Sequence, residues 1–235
     1  MTIQRLLDVI LSGVTLVCLL PLFLPVMLVL RITGEGEVFY RQTRVGREGK
    51  NFSLLKFATM LKNSPNIGTG EITVRNDPRI LPLGGFLRKS KLNELPQLWN
   101  VLVGDMSIVG PRPMVPDTFS RYPETAQSII QSINPGLTGV GSIVFRDEER
   151  FLDGLENPVA FYREVIIPHK SNLELWYVAH QSLGLYLRVI FATAWIIIFP
   201  KSNLAQSIFP GLPVAPPELT VEPHRITCAQ KSSSN

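Results

Sequence analysis

The densest chemistry in the sequence lies between residues 86 and 113, FLRKSKLNELPQLWNVLVGDMSIVGPRP. Three cations, Arg88, Lys89 and Lys91, lead into one carboxylate, Glu94, where a helix is expected to start at Asn93 and run to Val103. The free N–H groups and positive dipole of a helix N-terminus bind phosphate. A carboxylate placed there holds Mg2+ or attacks phosphorus. The same residues also read as plain capping, with Asn93 as N-cap and Glu94 complementing the dipole. Asp105, after Gly104, is a second metal ligand or a turn-stabilising aspartate. Arg112 stands between Pro111 and Pro113, which fix its direction. A guanidinium held that way suits a diphosphate, or clamps backbone carbonyls.

Other chemistries find little support. The chain has no GxSxG elbow, Walker A sequence or dinucleotide GxGxxG, and Gly34-Glu35-Gly36 and Gly68-Thr69-Gly70 read as turns. Cys18 and Cys228 are 210 positions apart, which excludes a disulfide scaffold and a CxxC site. His169, His180 and His224 are scattered, which argues against a histidine metal site. The net charge of +4 favours anionic partners such as phosphates, nucleotides or an anionic membrane face. No nucleic-acid motif accompanies it.

The elements that must position these residues follow from pattern. Hydrophobic residues make up 45% of the 235 and charged residues 18%, so the chain is not disordered, and it has too few long apolar runs for a polytopic membrane protein. Glu37–Val45 and Asn51–Phe57 read as strands of a hairpin around Gly46-Arg47-Glu48-Gly49. Residues 63–70, NSPNIGTG, are a loop by composition. Asp117–Ile133 reads as a helix despite Pro123, and 159–199 as helical segments broken at Pro168. Charge divides the chain. Residues 75–91 carry five basic side chains against one acid, and 147–174 carry seven acids against three bases. Phosphates are expected on the basic half.

Val9 to Leu30 is a run of 22 residues without a charge, and a spanning helix needs about 20. A secretory leader fits poorly, because its apolar region is about 7–15 residues with a small-residue cleavage site after it. Pro21 and Pro25 interrupt the run and predict a bend. Arg5 on one flank and Arg31, Arg41, Arg44 and Arg47 on the other make both ends basic. That suits a re-entrant helix breaking at Pro21 with both ends cytoplasmic; the alternative is a proline-kinked single-pass anchor. Val189–Phe199 is apolar but too short to span, and fits an interfacial or core helix. Residues 200–235 are rich in proline and polar residues and read as a mostly disordered tail.

The ELPQLWNVL, GDMS and VGPRP segments together resemble the bacterial sugar transferases, the monotopic polyprenyl-phosphate phosphoglycosyl transferases. Further matching pieces are GEVFYRQTRVGREGKNFSLLKFATM (36–60), NDPRI (76–80), NPGLTGVGS (134–142) and IIPHKSNLELWYVAHQSLGLYL (166–187). The resemblance covers about residues 3–199. It implies transfer of a phospho-sugar from a UDP-sugar to polyprenyl (undecaprenyl) phosphate with release of UMP. That is the first membrane step of O-antigen, capsule, exopolysaccharide or glycoprotein glycan assembly. It also implies a Mg2+-dependent Asp-Glu dyad and a proline-broken re-entrant helix on the cytoplasmic face of the bacterial inner membrane.

The expected fold is irregular α/β: a re-entrant membrane helix over 1–31, a short hairpin and amphipathic interfacial helices in a catalytic domain over 32–199, then the tail. Expected phosphate ligands are Arg88, Lys89, Lys91, Arg112 and Arg79, with Lys56 and Arg146 added by the resemblance. Arg41, Arg44 and Arg47 are assigned to lipid headgroups. The sequence departs from the family at three places. Asn93 stands where the family has its nucleophilic Asp, Ala58 replaces an Arg, and GVGSIVFRDEER replaces GWAQVNGR. An amide is not an anionic nucleophile. Two alternatives therefore stand beside the leading one: a catalytically impaired membrane scaffold, and a direct glycosyltransferase releasing UDP. The sequence does not identify the sugar, the glycan pathway or the oligomeric state.

Overall fold

The computed structural model describes residues 2–68, 73, 77–199, 202 and 208–220. It opens with helix α1 (Ile3–Thr33), 31 residues capped by Thr2, whose hydroxyl accepts from the Arg5 N–H. At 1.5 Å per residue this helix is about 46 Å long. Among the described residues it is the one helix long and apolar enough to cross a membrane. The expected break at Pro21 does not form: Pro21 and Pro25 lie inside the helix, which continues through both.

A globular body lies against α1 near both of its ends. Near the first, the Arg5 guanidinium donates to the Val101 and Leu102 carbonyls at 2.6 and 2.9 Å. These cap the end of helix α3 (Gln97–Val103), where carbonyls lack intrahelical partners. One turn on, Asp8 is buried and accepts from Ser107 Oγ, the Ile108 N–H and Tyr186 Oη, each at 2.8 Å. Near the other end, Phe23 and Leu30 pack with Phe57 and Leu87.

The hairpin forms as its sequence requires. Strands β1 (Phe39–Val45) and β2 (Asn51–Phe57) pair antiparallel, with Phe39 opposite Phe57 and Val45 opposite Asn51. Glu48 and Gly49 turn the chain with φ of 56° and 71°. Helix α2 (Gly84–Lys89) follows, and then α3. The expected helix from Asn93 is not formed. Lys91 takes a left-handed conformation, Leu92–Glu94 is a single 3-10 turn, and the α-helix begins only at Gln97. Pro96 has no N–H to give an interior turn, so the regular helix starts after it.

The short strands β3 (Ser107–Val109) and β4 (Gly136–Thr138) pair in parallel, Ser107 with Gly136 and Val109 with Thr138. This pairing seats the VGPRP turn against the NPGLTGVG segment. The backbones approach so closely that a Cβ on Gly136 would lie 2.1 Å from the Gly110 nitrogen. Only glycine fits there.

The single helix expected over Asp117–Ile133 is two, α4 (Pro116–Phe119) and α5 (Glu124–Ile130), because Pro123 ends one and begins the other. Then come α6 (Val140–Val144), α7 (Glu148–Leu152) and α8 (Pro158–Phe161). Pro168 does not break the chain. A π turn over Tyr162–Ile166 precedes it, and it sits in the first turn of α9 (Ile167–Ala179), where its missing N–H costs nothing. The break falls later, before α10 (Leu183–Ile198), which is capped by Ser182. One face of α10 buries Leu185, Tyr186, Val189 and Ala192; the other exposes Leu187, Phe191 and Ile197. Part of the expected tail is described. Residues 208–220 lie on the core, with Phe209 2% exposed, and Pro217–Thr220 forms α11. Phe209 offers about 2 kcal/mol of burial, enough to anchor a proline-rich strap. Residues 203–207 and 221–235 lie outside the described residues, as does Arg75 of the basic stretch.

Candidate active site

Glu94 is the centre of a charged cluster drawn from three elements. Its Oε1 accepts from Arg112 Nη2 at 2.7 Å and from Lys56 Nζ at 3.4 Å, and its Oε2 accepts from Arg112 Nη1 at 3.5 Å. Lys56 comes from β2, Arg112 from the turn after β3, and Glu94 from the 3-10 turn before α3. The side chains of Glu94 and Lys56 are 17% and 16% exposed, and that of Arg112 is 34%. The cluster is thus sheltered but open to a ligand on the arginine side.

The electrostatics follow from this packing. Burial pushes the Glu94 carboxyl up, but Arg112 and Lys56 outweigh it and hold the group well below the usual carboxylate range. Burial pushes the Lys56 ammonium down to about 7; Glu94 opposes this, and Arg44 and Arg112 add to it. Glu94 raises the already high Arg112 value. Burial also lowers Lys91. Glu94 faces Arg112, Lys56 and Lys91, with Arg44 beside Lys56, while Glu148 and Asp147 also act on Arg112 and Lys91. The excess of positive charge calls for a polyanion.

Arg44 is a residue that sequence reasoning misplaced. It faces the site and not a lipid surface: its Nη1 donates to the Pro113 carbonyl at 3.0 Å. Arg41 and Arg47 are exposed. The signal was present as strand parity. Residues 42 and 44 share the inward face of β1 and 41 and 43 the outward one, because side chains alternate along a strand.

The remaining expected ligands separate. Lys91, which feels the charges of Glu94 and Arg112, borders the cluster and donates through Nζ to the Arg146 carbonyl at 3.3 Å, whereas Arg88 bonds Glu149 at 3.2 Å. Lys89 is exposed at the end of α2. Arg146 turns its guanidinium away, onto the Ile196 carbonyl of α10. Arg79 is buried in a loop clamp: it pairs with Asp77 through two nitrogens and donates to the Ser64 and Ile67 carbonyls at 2.8 Å each. Its charge is committed to structure. Asp105 is exposed and accepts from Asn100 Nδ2 at 3.2 Å, which is the turn role. Asn93 is not an N-cap. It is 6% exposed, and its Oδ1 has no partner.

Mg2+ in phosphate sites uses one or two carboxylates together with substrate oxygens. Here Asn93, an amide, stands beside Glu94 where a second carboxylate would be needed, and both oxygens of Glu94 already accept from cations. Among the described residues no three His, Cys, Asp or Glu side chains come together to hold a metal ion. The residues present do not make a resident Mg2+ site.

The family model for bacterial sugar transferases matches residues 1–200, which include the whole cluster. The chain belongs to the bacterial sugar transferase family. It is 32% identical over 211 residues to the undecaprenyl-phosphate galactose phosphotransferase of Salmonella typhimurium, covering 83% of this chain and 40% of that protein. It is 32% identical over 196 residues to the UDP-glucose:undecaprenyl-phosphate glucose-1-phosphate transferase of Escherichia coli, covering 82% and 39%. It is 37% identical over 159 residues to the exopolysaccharide production protein ExoY of Sinorhizobium fredii, covering 62% and 70%. The chain spans about two-fifths of the length of the Salmonella and E. coli relatives.

Proposed function

We propose that this sugar transferase moves a phospho-sugar from a UDP-sugar to polyprenyl phosphate. A phosphate oxygen of the lipid attacks the phosphorus that carries the sugar. The bond from that phosphorus to the bridging oxygen breaks, and UMP leaves with that oxygen. The products are a polyprenyl diphosphate sugar and UMP. The carrying observation is the cation cluster around Glu94, since a guanidinium held by two prolines and an ammonium beside it suit the charge that develops on a transferring phosphoryl group. The names of the Salmonella and E. coli relatives point to the same substrates.

Direct attack is favoured over a covalent intermediate. Asn93 offers no anion, and Glu94 is pinned by Arg112 and Lys56, which lower its basicity and with it its nucleophilicity. Glu94 instead holds the two cations in place for the diphosphate. The reaction site lies on the cytoplasmic face of the inner membrane, with α1 lodged in that side of the bilayer and both of its ends on the cytoplasmic face. Both ends of α1 contacting one globular body supports this reading.

The test is incubation of the detergent-solubilised protein with polyprenyl phosphate and a panel of UDP-sugars, with nucleotide analysis of the products. UMP together with a lipid-linked diphosphate sugar is expected. Release of UDP would make the protein a direct glycosyltransferase. No turnover with any sugar would make it a scaffold, the outcome that Asn93 alone would suggest.

A further inference from the structure

Arg112 is held by its backbone as well as by its side chain. The Arg112 N–H donates to Glu174 Oε1 at 3.3 Å, and Glu174, on α9, is 2% exposed. Its second oxygen, Oε2, has no partner. The carboxylate lies over Gly141, where a Cβ would meet Oε1 at 2.4 Å. A small cavity of about 20 Å³ between Glu174, Tyr122 and the Pro111–Pro113 turn is large enough for one water. The Tyr122 hydroxyl is likewise buried and unpartnered. A buried carboxylate is costly unless it does a job, and neither the cation cluster nor the hydrophobic core uses this one.

We propose that Glu174 is the positioning residue for Arg112: its carboxylate fixes the backbone of the Pro111–Pro113 turn and so aims the guanidinium at the diphosphate site. Three separate segments meet in this arrangement. The VGPRP turn supplies the N–H, α9 the acceptor, and Gly141 of the NPGLTGVG segment the room. On the opposite side Arg44 holds the Pro113 carbonyl, so the turn is gripped from both faces. Charged and titratable groups around Glu174 are Arg112 from the turn, Tyr122 from the α4–α5 connection, and Lys170 and Tyr177 from its own helix. Burial pushes its carboxyl up to about 7, against the Arg112 N–H and the Lys170 charge. The charged form, the stronger acceptor, is therefore reached as pH rises through neutrality.

The inference rests on Arg112 taking the diphosphate, but its first test does not. Within Pro111-Arg112-Pro113 only Arg112 carries a backbone N–H, so hydrogen exchange of this stretch reads that single bond. It would be measured on the full chain in lipid nanodiscs and corrected for intrinsic rates. At pH 8 the wild type and E174Q, which keeps an acceptor, should protect this amide. E174M, and independently G141A, should exchange it at least tenfold faster. Equal protection in wild type and in a folded E174M or G141A would overturn the proposal. The second test uses UDP as a diphosphate probe. The ratio of wild-type to E174Q affinity should rise five- to tenfold from pH 6 to pH 8, Lys56 being common to both. A ratio that stays constant across that range would reduce Glu174 to a packing residue and overturn the proposal. If UDP binds to neither protein, the functional reading fails, and the Arg112 amide alone decides the positioning role.

Discussion

At the scale of single residues, Glu94 is the carboxylate on which the cluster depends. Glu94→Gln should lower kcat/KM by at least about 10²-fold, because Lys56 and Arg112 lose the charge that holds them in register. UMP release would be compared at UDP-sugar concentrations well below KM; a loss under tenfold would shift attention away from the cluster. Asn93→Asp restores an anion beside Glu94 and should keep or raise activity, and a phospho-sugar adduct found by mass spectrometry in that variant alone would support direct transfer in the wild type. Lys56 gives a pH prediction with a definite sign. Its pKa in the folded protein is about 7, so it is largely neutral at pH 8. A bound diphosphate favours the ammonium and raises that pKa. UDP binding at pH 8 should therefore take up close to one proton, read by calorimetry in buffers of different ionisation enthalpy, and Lys56→Met should abolish the uptake. On the proposal that Arg112, Lys56 and Arg44 neutralise the diphosphate, EDTA should change UDP affinity less than threefold.

At the scale of elements, the site depends on two short backbone contacts that hold the VGPRP turn. Arg44→Ala removes the bond to the Pro113 carbonyl and should lower kcat/KM about tenfold to a hundredfold with thermal stability little changed, since Arg44 is half-buried on a hairpin edge. Gly136→Ala acts differently. Its Cβ would collide with backbone at Gly110 and Thr138, which cannot swing aside, so a loss of at least about 1–3 kcal/mol is expected in denaturant unfolding. These elements differ in how far the sequence revealed them. The β1–β2 hairpin was legible almost to the residue, because alternation and a glycine turn are local signals. The pairing of β3 with β4 was not, since three-residue strands carry no usable period and their contact joins residues about 29 apart. Asn93 looked like an N-cap because its type fits one; Pro96 moved the helix start four residues on. Glu174 went unnoticed because its partner is a backbone N–H, which leaves no trace in residue types.

At the scale of the whole molecule, α1 and the globular body must be placed together in the membrane. The sequence supplied the apolar length and the two basic flanks, but not the contacts that tie α1 down. A straight span would put its ends about 46 Å apart, on opposite sides of a hydrocarbon core about 30 Å thick. Arg5 and Asp8 would then lie across the bilayer from Leu30, yet they bond to α3, β3 and Tyr186, which belong to the same body as Phe57 and Leu87 near the other end. Spanning would require either tearing those bonds or carrying the end of α3 through lipid, where unpaired Val101 and Leu102 carbonyls would each cost several kcal/mol. α1 exposes Leu20, Leu22, Leu24 and Leu28, and on the globular body α3 exposes Trp99 and Val103. The proposed placement, with both ends of α1 on one face, would bury this surface and leave the Arg5, Asp8 and Leu30 contacts intact. In a variant with Cys18 and Cys228 replaced by serine, single cysteines at Thr2 and at Gly36 should both be blocked by a membrane-impermeant maleimide only after the inner membrane is opened. Labelling of the Thr2 site in intact spheroplasts, with the Gly36 site protected, would mean that α1 crosses the bilayer and that the Arg5 and Asp8 contacts are broken in the membrane.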